Sequence, residues 1–548
     1  MKKINNLFYI LLSVTFMFFI GCSDLELEPE GSVFTEKQKE ELTKVAPERL
    51  QAEVNGLYSG LIKYASISDW YGSTRHYDFG YAAAGLMFDA SGQDMPSENS
   101  GYNWFRNSMR YTDRTAPSEI TYFLWNLFYS HMKTANDILF TIPSDTSDPL
   151  LKAYRGQALA SRAFDYLHLV QIYQFTYKGH ENAPAVPIVT EETTPEQAAN
   201  NPRATVQQVY DLIMKDLDEA INLLEGFSRT GKEMINQNVA YGLRARANLN
   251  MEKWNEAAAD AEKAMVGFSP YTIQQVSKPS FNDINATSWI WGSDVSETND
   301  IVQSGILNFP SMICSLTGNG YSPGYAGRYI NQALWKSIPT SDVRKGWWTE
   351  PVWGKDEDGE DVIVDYKTPL VDMTWTTTYN NVEYGIIDWF GWNAPYLNVK
   401  FGPYQDQYNN PTNACDLPLM RVEEMILIRA EALAMGGNTS TGKQVLENFI
   451  KTYRDPSYIC PVNDAKGIQD EVWKQRRIEL WGEGFSLFDV KRLKKPILRK
   501  GINYPAPFSY DLPAEAPILL WLLPEDEINT NEAIDEATNN PVIAVPSV

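Results

Sequence analysis

The stretch "TVQQVYDLIMKDLDEAINLLE", Thr205 to Glu225, places Val206, Val209, Leu212, Ile213, Leu217, Ile221 and Leu224 at intervals of three and four residues. That spacing follows the 3.6-residue turn of an α-helix and predicts a single buried face. The next stretch, "INQNVAYGLRARANLNMEKWNEAAADAEKAM", has Ala245, Ala257 and Ala264 at the small-residue spacing of a tetratricopeptide repeat, with Lys253, Trp254 and Asn255 as the turn. Small residues let paired helices approach closely. "YFLWNLFYSHMKTANDILFTI" and "LLKAYRGQALASRAFDYLHLVQIY" add further helices, so the expected fold is all-α, a solenoid-like scaffold of degenerate helical hairpins.

Composition shifts beyond about Ser269. Up to Asp416 the chain is rich in Gly, Pro, Asn and aromatic residues, and nine of the sixteen tryptophans fall there, which predicts an irregular layer mounted on the helices. Few short strands are expected. Helical periodicity returns in "LPLMRVEEMILIRAEALAMGG", "KQVLENFIKTYR" and "EVWKQRRIELWGEGFSLFDVKRLKK". The scaffold is therefore split in sequence around an insert.

At the N-terminus, Lys2 and Lys3 precede an apolar or hydroxylated run from Leu7 to Ile20, long enough for an export signal and too short for a membrane-spanning helix. The run ends in Phe19-Ile20-Gly21-Cys22, which resembles a bacterial lipobox and predicts lipidation of Cys22. Several acyl chains there would hold an otherwise soluble protein at a membrane. Predicted boundaries are a lipoprotein signal over 1–21, an acidic tether over 22–45, a helical scaffold over 46–270, an aromatic-rich ligand-binding region over 271–415, and C-terminal helices and tail over 416–548. The chain of 548 residues carries a net charge of −23, which argues against nucleic acid as a partner. Cys314, Cys415 and Cys460 are scattered and odd in number, so neither a disulfide framework nor a zinc site is expected.

Three acidic or glycine-rich motifs invite chemistry. "GGNTSTGKQ" contains Gly437-x4-Gly442-Lys443, but it follows a helix and has Gln444 where a phosphate loop needs Ser or Thr, so a hairpin turn explains it better. Glu479 and Glu483 in "RRIELWGEGFSLFDVKRLKK" lie one turn apart beside an expected stripe of Ile478, Trp481, Phe485 and Phe488. Paired carboxylates suit glycoside hydrolysis, but Arg476, Arg477 and Arg492 are close enough to make them a structural ion-pair network instead. Asp356, Asp358, Glu360 and Asp361 surround Gly359, which is misplaced for an EF-hand; a solvated hairpin turn is expected, with a structural calcium ion as the alternative.

Loop aromatics are more suggestive of a ligand, because sugars have flat apolar faces edged by hydroxyls that rings can stack on. "SGYNWFRN" offers Tyr102, Asn103 and Trp104; "GNGYSPGYAGRY" offers Tyr321, Tyr325 and Arg328; "RKGWWTEPVW" offers Trp347, Trp348 and Trp353. Trp289 and Trp291 alternate as strand residues do and are assigned to the core.

Taken together, Cys22 and its acids, Trp125-x3-Tyr129-x6-Asn136, "RAFDYLHLVQIY", "LMRVEEMILIRAEALAMGGN", "RRIELWGEGFSLFDVKRL" and "LLPEDEINTN" resemble the SusD/RagB family of outer-membrane nutrient-binding lipoproteins. The resemblance implies four tetratricopeptide-like units with a variable region displaying the binding site. It also implies a surface-exposed lipoprotein acting as the lid of a TonB-dependent transporter barrel, capturing oligosaccharides, or peptides in some members, without catalytic residues. Asp24, Glu26, Glu28 and Glu30 resemble the signal that sends such lipoproteins to the outer face. By position, the glycan-binding aromatics of the family favour Trp104, Tyr321 and Tyr325. A peptide-binding member of the family and an all-α glycoside hydrolase are the competing readings.

Overall fold

The structure, a computed structural model, describes residues 50–64, 76–379, 382–385 and 395–546. Cys22, the signal, the tether and the first residues of the expected scaffold lie outside the described residues. All the elements below belong to the unit Gln51–Val548.

Helices dominate, as the periodicity predicts. The first half supplies α1 (Gln51–Ser59), α2 (Tyr81–Ser91), α3 (Glu119–Thr141), α4 (Pro149–Tyr173), α5 (Val206–Leu223), α6 (Gln237–Asn250) and α7 (Trp254–Ala264). The second half supplies α8 (Val422–Met435), α9 (Thr439–Tyr453), α10 (Ala465–Glu479) and α11 (Ser486–Arg492). Neighbours in sequence pack pairwise from α3 through α7. α7 then packs on α8, and α8 on both α9 and α10, so one scaffold runs across the insert.

α5 shows why these segments are helical. Thr205 begins it with a capping box, accepting from the Gln208 amide at 3.2 Å while its own amide donates to Gln208 Oε1 at 2.8 Å. Val206, Val209, Ile213, Leu217 and Ile221 are buried as expected, each contributing about 1.5–3 kcal/mol. Leu212 is only half-buried. α4 is buried almost all round, and its polar residues find partners in adjacent helices: Arg162 grips Asp216 of α5 at 2.8 and 2.9 Å and Asn136 of α3 at 2.9 Å. Ala245, Ala257 and Ala264 are buried between α6 and α7. The turn there sits slightly earlier than expected, because Glu252 takes the positive φ and Trp254 and Asn255 already belong to α7.

Gly437, at φ +93°, turns α8 into α9, and the Asn438 amide reaches back to the Leu433 carbonyl at 2.9 Å. The glycine-rich motif is thus a hairpin turn. Strand structure is sparse: β1 (Trp289–Ser293) pairs with β6 (Leu417–Arg421), β2 (Glu350–Lys355) with β3 (Asp361–Lys367), and β4 (Thr376–Tyr379) with β5 (Val382–Gly385), all antiparallel. Trp289 and Trp291 of β1 are core residues. Cys314, Cys415 and Cys460 are free and buried. No helix among the described residues is long and apolar enough to cross a membrane.

Candidate functional site

Two loops carry the candidate rings, and backbone pairing brings them together. The loop after α2 meets the 321–331 segment through a bridge between Ser97 and Arg328, the Tyr329 amide on the Pro96 carbonyl at 3.0 Å, and the Ser100 hydroxyl on the Tyr325 carbonyl at 3.2 Å. Beneath them Arg328 Nη1 donates to Asn103 Oδ1 at 2.8 Å, and Asn103 Nδ2 donates to the Glu98 carbonyl at 2.8 Å. Asn103 and Arg328 are both buried and hold the loops from beneath, rather than standing exposed as expected of ligand contacts.

Above this link the rings form one cluster. Tyr102 lies 4.9 Å from Tyr325 and 6.0 Å from Tyr321, centroid to centroid, and Trp104 lies 6.0 Å from Tyr321. Tyr102 is 52% exposed and Tyr325 48%, whereas Tyr321 is buried behind them and Trp104 half-buried. His76 completes the group: it stacks on Trp104 at 4.2 Å with planes 27° apart, and its Nδ1 is hydrogen-bonded to the Tyr321 hydroxyl. Burial holds the His76 imidazole below the usual histidine range, so it is neutral at neutral pH. Sequence pattern gives no sign of His76, since a lone histidine far from either loop has no spacing to read.

Trp347 and Trp348 do not join this surface. Trp347 donates its indole N–H to the Val276 carbonyl at 3.0 Å and meets Phe281 edge-on, while Trp348 packs edge-on against Trp481 at 5.6 Å. Both are fully buried core residues, correcting their assignment as ligand contacts. Trp353 is exposed on β2. The β2–β3 turn is the expected hairpin: Gly359 has φ +81°, and Asp356 Oδ1 accepts from the Asp358 and Glu360 amides at 3.0 and 2.9 Å. Among the described residues no group of three His, Cys, Asp or Glu is arranged to hold a metal ion.

Glu479 and Glu483 are buried in an ion-pair network, as their structural reading predicts, but with other partners. Arg454 clamps Glu479 with two bonds of 2.8 Å, Arg421 and Arg344 reach it at 3.2 and 3.3 Å, and Arg421 and Lys400 hold Glu483 at 2.7–2.8 Å. Despite desolvation, these cations keep both carboxyls below their usual range. Arg476, Arg477 and Arg492 instead bind Asp489, Asp94 and Glu431. The expected continuous helix is also interrupted: α10 ends at Glu479, Gly482 and Gly484 take positive φ, and α11 begins at Ser486. Glu479 is sealed from solvent, Glu483 is half-buried, and cations engage both carboxylates, an arrangement suited to an ion-pair network.

A family described as starch-binding and associating with the outer membrane matches residues 77–249, and the SusD family matches residues 342–538. Two SusD-like proteins of Formosa agariphila are similar over nearly their whole length. P38 is 22% identical, covering 91% of this chain and 93% of its own, and P2 is 24% identical, covering 90% and 91%. Among solved structures, a SusD-like carbohydrate binding protein from Bacteroides vulgatus superposes with a TM-score of 0.69 at 22% identity, covering 91% of this chain and 99% of that one. A laminarin binding SusD-like protein superposes with a TM-score of 0.61 at 17% identity, covering 90% and 99%. At these identities the likeness is one of fold.

Proposed function

The chain belongs to the SusD/RagB family, and from that premise we propose that it captures oligosaccharides at the surface of the outer membrane and passes them to a TonB-dependent transporter barrel as its lid, without catalysis. The carrying observation is the ring cluster: Tyr102 and Tyr325 present exposed faces on loops locked together by Asn103 and Arg328. Stacking faces preorganised in this way suit the apolar face of a sugar ring and lose little freedom on binding. The cations that occupy Glu479 and Glu483 speak against a hydrolase reading built on that pair. In this reading residues 46–270 and 416–548 are the scaffold, 271–415 displays much of the ligand-facing layer, and Cys22 carries the lipid anchor.

Capture without catalysis is tested by incubating the protein with a panel of oligosaccharides and peptides while following binding by calorimetry and products by chromatography. Binding of an oligosaccharide that is recovered intact supports the reading. Binding of peptides alone, or release of shorter sugars, overturns it. The anchor is tested by metabolic lipid labelling, which Cys22→Ala abolishes, and the lid by co-purification of a barrel from mildly extracted outer membranes.

A further inference from the structure

Arg328 is 1% exposed and meets no carboxylate. Nη1 donates to Asn103 Oδ1, Nε to the Met312 carbonyl at 3.3 Å, the head lies 5.3 Å from the Phe105 centroid, and Nη2 has no hydrogen-bond partner. The other buried arginines are treated differently. Arg162, Arg246, Arg344, Arg421 and Arg454 each pair with acids, and Arg499 spends its N–H groups on the Ala90, Gly92 and Met109 carbonyls. Burial without a counter-charge is costly for a guanidinium, and desolvation pulls Arg328 down to about 10, still cationic at neutral pH.

More positive charge lies next to it. Arg106 and Arg110 come two and six residues after Trp104, one helical turn apart on the Arg106–Arg110 helix, and both are exposed. Arg106 Nη1 reaches the Ser100 carbonyl at 3.5 Å, in the loop that carries Tyr102. Among the described residues, no carboxylate pairs with Arg106, Arg110 or Arg328. Glu98, in the same loop, accepts from the Tyr329 hydroxyl at 3.0 Å. In a chain of net charge −23, three guanidiniums without acid partners thus sit on or beneath the loop region that carries the exposed rings: Arg106 bonded to the Tyr102 loop, Arg110 one turn along the same helix, and Arg328 under the loop link.

We infer that the ligand of this platform is an anionic oligosaccharide, one whose sugar faces stack on Tyr102 and Tyr325 while a carboxylate or sulfate ester meets the arginines. This rests on the platform being the glycan site proposed above. Arg106 and Arg110 supply forked donors that match a carboxylate or sulfate, and Arg328 acts from below through its uncompensated field. The positive patch also steers an anion toward a protein that otherwise repels it.

The test uses the full lipidated chain in mild detergent and three oligosaccharides of equal length: an oligogalacturonide, the same oligomer with its carboxyls reduced to alcohols, and a sulfated galactan oligomer. At low salt one or both anionic probes bind at least about tenfold tighter than the reduced one, and the advantage disappears in roughly 1 M salt, where screening acts over ~3 Å. Whichever anionic probe shows this low-salt advantage identifies carboxylate or sulfate as the partner. The double variant Arg106→Gln/Arg110→Gln, confined to exposed side chains, lowers anionic affinity severalfold with an unchanged melting temperature and leaves the reduced probe unaffected. Equal, salt-independent binding of all three probes overturns the anionic assignment and leaves glycan capture standing. Binding of none of them, even at millimolar concentration, overturns both.

Discussion

Tyr102 and Tyr325 face each other across two loops, ring centroids 4.9 Å apart, and both rings remain about half exposed. Their loops are fixed from below by the Arg328–Asn103 hydrogen bond, so the rings are held in place before a ligand arrives. Tyr325→Ala and Tyr102→Ala should each weaken oligosaccharide binding by about 1–2 kcal/mol, roughly 5- to 30-fold, with the melting temperature unchanged. Calorimetric titration beside thermal denaturation checks this. Unaltered affinity in both variants would remove the platform as the site.

Trp347→Ala should do the opposite. Its indole is buried against Phe281 and bonded to the Val276 carbonyl, so truncation leaves a cavity and an unsatisfied acceptor. A loss of about 3–5 kcal/mol in stability is expected. Denaturant unfolding reads this loss, and folded variant protein should bind oligosaccharide nearly as well as the parent.

His76 gives the platform a pH signature. Burial lowers its pKa, so an NMR titration should find its midpoint below 6.5. An unfolded histidine takes up a proton near pH 6.5 that the folded one resists. Its contribution to stability is therefore present above pH 6.5 and lost as pH falls through the folded value. A neutral oligosaccharide covering the ring desolvates it further and lowers the midpoint again, whereas an anionic one raises it. The direction of that shift reports the ligand's charge. A midpoint at or above 6.5 in the free protein would contradict the burial argument.

Arg421 links Glu479 and Glu483 in the core, and Arg421→Met leaves those carboxylates short of positive charge where water cannot reach. A destabilisation of about 3–5 kcal/mol is expected, seen as a lowered denaturant midpoint. A change below about 1 kcal/mol would mean that Arg344, Arg454 and Lys400 suffice alone.

Much of this architecture is legible along the chain because helix periodicity and capping are local. Thr205 and Gln208 lie three residues apart, and the α5 stripe repeats over five turns. The hairpin at Gly437 follows from the left-handed conformation that glycine permits. What fails is non-local. Trp347 and Trp348 sit in a loop-rich segment where no period distinguishes a buried ring from an exposed one, and their partners Phe281 and Trp481 are far off in sequence. The helix expected through Glu483 broke because Gly482 and Gly484 turn the chain onto α2, where a side chain at position 484 would strike Gly85. His76 joins the site through its stack on Trp104 and its hydrogen bond with the Tyr321 hydroxyl, neither of which has a local signal in the sequence.

That same turn yields a last prediction, at Asp89. Its carboxylate is buried in α2 and accepts from the Gly484 amide at 2.8 Å and the Ser486 amide at 3.1 Å, which ties the break between α10 and α11 to the N-terminal half. Desolvation outweighs these two bonds, with the nearby Glu483 adding repulsion, and raises its pKa to about 7. The folded chain therefore keeps a proton on Asp89 that the unfolded chain has released above about pH 4. This contribution to stability is fully present below the unfolded value and is lost as pH rises through about 7. In Asp89→Asn the side chain stays neutral and retains one acceptor for the Gly484 or Ser486 amide. Its stability should change less between about pH 5 and about pH 8, on either side of the Asp89 titration, than that of the parent. Parallel denaturant curves at both pH values decide it, and identical pH slopes for the two proteins would place the ionised form of Asp89 in the fold throughout.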